Sequence, residues 1–242
     1  MYIRWIPNAL TSLNLVAGLG SMLVLQTGRV GISALFVVFG MIIDGLDGRV
    51  ARWLRVESEF GRILDSLSDI VTFGVAPAMI MYHEVLRHLG VLGDLVAILF
   101  PLCGALRLAR FHTQRGPADT FIGLPITAAG GVEATLALTK SAFEPAAVFL
   151  SAATVLLSLL MVSSIPYPNF KRLSYPKSML VLVPLMALLI ACLLRFQIVG
   201  TDVLIFAVLG LYAAYGMIHA IRSSILGRKH GNGDVAHGTK KS

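Results

Sequence analysis

Four carboxylates, Asp44, Asp47, Asp65 and Asp69, stand within 26 residues of one another. They occur in the run Asp44-Gly-Leu-Asp47-Gly48-Arg-Val-Ala51-Arg52 and, after eight further residues, in Gly61-Arg-Ile-Leu-Asp65-Ser-Leu-Ser-Asp69. Aspartates three or four apart share one face of a helix, with about 5 to 6 Å between neighbours. Two helices that turn such faces toward each other enclose a cage of hard oxygen ligands, which suits Mg²⁺ or Mn²⁺ and not zinc, whose preferred ligands are His and Cys. Gly48 and Ala51 bring almost no side chain to the face between the first pair and Arg52, so a ligand can lie against the backbone there. A divalent cation beside a small-residue hollow closed by an arginine suits a bound pyrophosphate.

These aspartates lie at the seam of two apolar segments. Each ionised carboxylate near the bilayer core costs about 2.5 to 3.5 kcal/mol on insertion scales, and clustered ones also repel one another. A cation is therefore required. Arg49, Arg52, Arg55 and Arg62 are close in sequence, and a salt-bridge network holding two helices together would account for the charges, though not for the small residues between them. Intramembrane aspartates also mark ion-coupled transporters, which often carry internal repeats; the aspartate pattern has no second copy in this chain.

The segments that position the cage are membrane helices. Of 242 residues 56% are hydrophobic and only 14% charged, and the mean hydropathy is +0.80, which leaves no material for a soluble domain. Apolar runs cover about 8–26, 31–53, 61–86, 91–113, 121–140, 145–165, 176–196 and 201–222. The fold expected is an all-α polytopic membrane bundle of about eight transmembrane helices in one domain, 1–226. A disordered tail, 227–242, rich in Gly, Asn, Lys and Ser, follows it. The fifth run is the weakest, because Gly130, Gly131 and Glu133 interrupt it. The first run lacks a clear small-residue cleavage site and reads as a retained helix. Cys103 and Cys192 sit in separate apolar runs as small hydrophobes, with no disulfide framework.

Assigning the basic residues to alternate ends of these helices puts all but Arg29, Arg87, Lys140 and Arg195 of the 20 on one side. Lys and Arg mark the cytoplasmic side, so both termini are expected in the cytoplasm and the cage is expected to open toward it. The net charge of +7 fits attraction to anionic lipid headgroups. It does not point to nucleic acid, since the basic residues are divided among membrane joints.

At the aspartates the chain resembles the CDP-alcohol phosphotransferases, whose signature D-x2-D-G-x2-A-R-x8-G-x3-D-x3-D is matched at Asp44, Asp47, Gly48, Ala51, Arg52, Gly61, Asp65 and Asp69. Six helices form that family's common core. Farther on, Arg107-Leu-Ala-Arg110-Phe, Phe121-Ile-Gly-Leu-Pro125 and Tyr167-Pro-Asn-Phe-Lys171 resemble the phosphatidylserine synthase branch. That branch has Asn where this chain has His112. The resemblance implies an integral membrane enzyme of the cell membrane, active as a homodimer, that moves a phosphatidyl group from CDP-diacylglycerol to the hydroxyl of L-serine and releases CMP. Other acceptors in the family include glycerol 3-phosphate and inositol phosphate, and the lipid can be an archaeal ether lipid.

By the same resemblance Asp44, Asp47, Asp65 and Asp69 hold two Mg²⁺ or Mn²⁺ ions, with Asp69 also the general base. Gly48, Ala51, Arg52 and Gly61 receive the nucleotide and its phosphates. In the first run Asn8, Thr11 and Asn14 recur every three residues. Such residues commonly hydrogen-bond across membrane helices, and the resemblance places Asn8 and Thr11 at the nucleotide pocket. Arg107, Arg110 and Lys171 are the candidates for the serine carboxylate or a lipid phosphate. For the two arginines the plain alternative is snorkelling at the interface.

Overall fold

A computed structural model describes residues 5–113, 120–142, 145–163 and 166–168. The described chain is nearly all helical: α1 (Trp5–Leu25), α2 (Val30–Leu54), α3 (Glu59–Asp69), α4 (Ala76–Glu84), α5 (Val91–Thr113), α6 (Ile126–Leu136) and α7 (Ala146–Val162). Four stretches are long and apolar enough to cross a membrane: α1, α2, Glu59–Glu84 and α5. Their lengths of 21 to 26 residues give roughly 31 to 39 Å at 1.5 Å per residue, against about 30 Å of hydrocarbon.

The first four apolar runs thus correspond to the observed spans. The fifth is α6 and a 3-10 turn (Ala137–Ala142). Before α6 come the three residues of β1 (Thr120–Ile122), paired antiparallel with β2 (Pro166–Pro168). This short ribbon is a departure from an all-α chain, and the pattern of an apolar run did not foretell it. The sixth run is the 17-residue α7. The seventh and eighth runs, Lys171 and the tail 227–242 lie outside the described residues.

Inside and outside differ by size and polarity more than by hydropathy. Large apolar side chains such as Val16, Leu23, Phe39 and Ile98 are exposed, as befits surfaces that meet lipid. Ser21, Ser33, Thr72, Thr154 and Ser158 are fully buried, because interhelical hydrogen bonds and close backbone approach hold such bundles together. Ser21 and Ser33 clasp α1 to α2: their hydroxyls are 2.9 Å apart, and each donates to the other's backbone oxygen or hydroxyl. At the turn between these helices Gly28 has φ +75°.

Two local devices set where the aspartates stand. α2 ends with Arg55 in the left-handed region (φ 54°). Val56 N–H reaches back to Ala51 O at 3.1 Å and Arg55 N–H to Arg52 O at 3.2 Å, the pairing that closes a helix on a left-handed residue. α3 begins four residues later, capped by Ser58, whose Oγ accepts from Gly61 N–H at 3.0 Å. A π-helical turn, Ile70–Val75, then follows Asp69 directly, and Ala76 N–H bonds to Val71 O five residues back. Pro77 supplies the reason: it has no N–H for the carbonyl of Phe73, and its ring crowds that oxygen, so the helix widens just before it. This turn is the meeting point of the bundle. α1 and α2 press on it through Gly18 and Gly40, α6 through Gly130, and α5 through Pro101, which faces Gly74.

Candidate functional site

α2 carries Asp44 and Asp47 and α3 carries Asp65, and carboxylate oxygens of these three lie within 4.8 Å of one another. Among the described residues this is the acidic group that could hold a metal ion. Asp47 is buried, whereas Asp44 and Asp65 are half-buried, so the cluster has an open side. Asp69 stands one turn beyond Asp65, buried, within electrostatic reach of the other three carboxylates and of the Arg107 guanidinium. It is not one of the tight group of three. Its Oδ1 receives the side-chain amide of Asn14 at 3.4 Å.

α1 forms the wall behind the cage. Thr11, buried, donates from Oγ1 to Asp47 Oδ2 at 2.8 Å. Its hydroxyl therefore meets a cage carboxylate directly, from the position where the sequence pattern put it against the nucleotide. Asn8 faces Gly61: a Cβ at Gly61 would come within 2.9 Å of Asn8 Oδ1, so this glycine lets the start of α3 approach α1. Gly48 is different. A Cβ there would meet only the Arg52 guanidinium, at 3.4 Å, which leaves the hollow beside the exposed Arg52 and half-buried Ala51 open.

The two arginines of α5 part company. Arg107 is buried, and its Nε has no hydrogen-bond partner. Arg110 is turned to the end of α7, where Nη1 donates to Val162 O at 2.8 Å and Nη2 to Ser163 O at 2.9 Å. It satisfies carbonyls that α7 leaves without intrahelical donors. His112 is exposed, with Nε2 3.4 Å from Ser66 Oγ. Sequence reasoning singled out Asn14 only as part of a polar stripe, and it treated Glu133 only as an interruption. Glu133 is fully buried, with Thr154 Oγ1 2.7 Å from its Oε1. The stripe was the available signal for Asn14; for Glu133 there was none.

A buried, all-oxygen acidic site at the head of several apolar spans is the arrangement of a membrane-embedded enzyme acting on phosphorylated lipid substrates with divalent metal. The chain belongs to the CDP-alcohol phosphatidyltransferase family, which it matches over residues 4–227. It is 37% identical over 225 residues to the CDP-diacylglycerol–serine O-phosphatidyltransferase of Helicobacter pylori strain J99, covering 89% of this chain and 90% of that one. The Bacillus subtilis protein of the same name is 39% identical over 170 residues, 70% of this chain and 93% of its own. The archaetidylserine synthase of Methanothermobacter thermautotrophicus is 38% identical over 168 residues, 68% of this chain and 70% of that one.

Proposed function

We propose that this chain transfers the phosphatidyl group of CDP-diacylglycerol to the hydroxyl of L-serine, giving phosphatidylserine and CMP. The convergence of Asp44, Asp47 and Asp65 within 4.8 Å, in a protein whose relatives are named for this reaction, carries the reading. The donor set fits Mg²⁺ or Mn²⁺, since every ligand is a carboxylate oxygen and no His or Cys belongs to the group. Asp44, Asp47 and Asp65, joined by Asp69, would hold two such ions, which when bound neutralise pyrophosphate charge and stabilise the departing CMP.

The remaining work falls to side chains of the protein. Asp69 takes the proton of the serine hydroxyl, far too weak an acid to ionise unaided near neutral pH. The serine oxygen forms the new bond to the phosphorus of the phosphatidyl group as the bond to the CMP oxygen breaks. Gly48 and Ala51 leave the backbone open to the nucleotide, Arg52 pairs with its phosphates, and Asn8 and Gly61 line the α1 side. Arg107, buried with an unpartnered Nε, receives the serine carboxylate or the lipid phosphate, with Lys171 as its partner from beyond the described residues. Arg110 is assigned to the end of α7 instead, because both terminal nitrogens are committed there.

We further propose eight transmembrane helices in a single domain, 1–226, with a disordered tail, 227–242. Both termini and the mouth of the site face the cytoplasm, and the working unit is a homodimer. Reporter fusions at the two termini test the orientation; a C-terminal reporter active only outside the membrane would overturn the helix count. The central test is CMP and phosphatidylserine formation by purified protein given CDP-diacylglycerol, L-serine and Mg²⁺. Glycerol 3-phosphate and inositol phosphate are offered in parallel, and the archaeal ether analogue replaces the lipid in a further arm. Release of CMP with another acceptor and not with serine would refute the serine assignment while leaving the class of reaction intact.

A further inference from the structure

The geometry points to Asn14 as a positioning residue for the base: its side-chain amide holds one oxygen of Asp69 so that the other is presented to the acceptor hydroxyl. The inference rests on the reading of Asp69 as the base. Asn14 is fully buried in α1, and its Nδ2 lies 3.4 Å from Asp69 Oδ1. That separation is at the long end for a hydrogen bond, as catalytic hydrogen bonds often are before substrate closes a site.

Three further observations set Asn14 apart from an ordinary interhelical contact. Its backbone oxygen accepts from Thr72 Oγ1 at 2.9 Å, so the residue is tied at its main chain to the π-helical turn that begins immediately after Asp69. On the side of α2 it faces Gly40, where a Cβ would come within 2.9 Å of Asn14 Oδ1 and 2.6 Å of Thr72 Cγ2. The amide is thus wedged between α2 and the turn. Finally, Asn14 Oδ1 is buried and has no hydrogen-bond partner. A side chain kept only to hold helices together would have both ends of its amide satisfied, since an orphaned buried acceptor works against stability. Here the joint is already secured by Thr72, and half the amide is left orphaned while the other half reaches the carboxylate.

The arrangement also accounts for the widened turn. A regular helix through residues 70–75 would rotate Thr72 relative to Asp69, whereas the π turn lets Asp69 face the cage while Thr72 faces Asn14. One residue of α1 thereby fixes the register between the last aspartate and the first helix. Thr11, one turn earlier, holds Asp47 of α2 in the same manner.

The test uses full-length protein with Asn14→Leu, a near-isosteric change that removes both amide groups. Because it also removes an unpartnered buried acceptor, the thermal midpoint in detergent should stay level or rise. CMP binding should stay within about threefold, and KM for CDP-diacylglycerol within about twofold. By contrast kcat should fall about 10- to 100-fold, the range found when a group that orients a catalytic ligand is lost. Combined with Asp69→Asn, the change should slow the enzyme no further than Asp69→Asn alone, since a group acting through another has nothing left to orient.

Native kcat in Asn14→Leu, or losses that multiply in the double variant, would overturn the role of Asn14 while leaving Asp69 as the base. Near-native turnover in Asp69→Asn would instead overturn the base, and the inference with it. If Asn14→Leu does not yield folded protein, Asn14→Ser, whose hydroxyl is too short to reach Asp69, is judged by the same criteria.

Discussion

Replacing Thr11 with valine keeps the branched shape of the side chain and deletes one hydroxyl. That hydroxyl is 3% exposed and lies 2.8 Å from Asp47 Oδ2. It is also 3.0 Å from Pro7 O, but its single hydrogen goes to the stronger acceptor, the ionised carboxylate. A hydrogen bond to a charged group contributes about 1.5 to 3 kcal/mol, so its loss changes an equilibrium that needs Asp47 ionised and correctly turned by about 10- to 150-fold. Thr11→Val should accordingly raise the Mg²⁺ concentration for half-maximal CMP release by about 10- to 100-fold, with most of kcat recovered at saturating metal. Thr11→Ser should follow the wild-type curve. The assay is CMP release at saturating CDP-diacylglycerol and serine across a Mg²⁺ series. A metal dependence within twofold of wild type, or a loss that metal does not recover, would refute the argument that Thr11 acts on the metal through Asp47.

EDTA should abolish CMP release and Mg²⁺ or Mn²⁺ should restore it, because the acidic group offers only oxygen ligands; full activity in chelator would exclude the metal site. Arg110→Lys should destabilise the fold by about 1 to 2 kcal/mol in thermal unfolding, since a lysine cannot donate to two carbonyls at once; a raised KM with unchanged stability would mean that Arg110 contacts substrate. Gly18→Ala and Gly48→Ala should separate packing from ligand space. At Gly18 the new methyl would lie 2.8 Å from Thr72 Cα, costing about 1 to 3 kcal/mol of stability. At Gly48 the nearest atom is Arg52 Nη1 at 3.4 Å, so stability should hold while CMP release falls at least about tenfold; loss of stability at Gly48 would assign that glycine to packing.

The aspartate motif and the run of apolar segments were legible in the sequence because both are properties of single helices. Spacing of three and four places Asp44 with Asp47 and Asp65 with Asp69 on shared faces whatever the helices pack against, and an oxygen-only ligand set implies a hard cation in any fold. Hydropathy likewise marks a span without reference to its neighbours. What a bilayer hides is which side of each span turns inward, since lipid-facing and buried positions are both apolar and only small or polar residues betray the interior. The register between helices therefore had to come from the tertiary structure. It alone decided that Thr11 meets Asp47 and Asn14 meets Asp69, that Gly61 makes room for Asn8, and that Arg110 serves α7 while Arg107, one turn earlier, stays with the aspartates. The buried pair of Glu133 and Thr154 and the ribbon joining residues 120–122 to 166–168 have the same origin. Each depends on two segments far apart in the chain arriving at one depth, which no periodicity within either segment records.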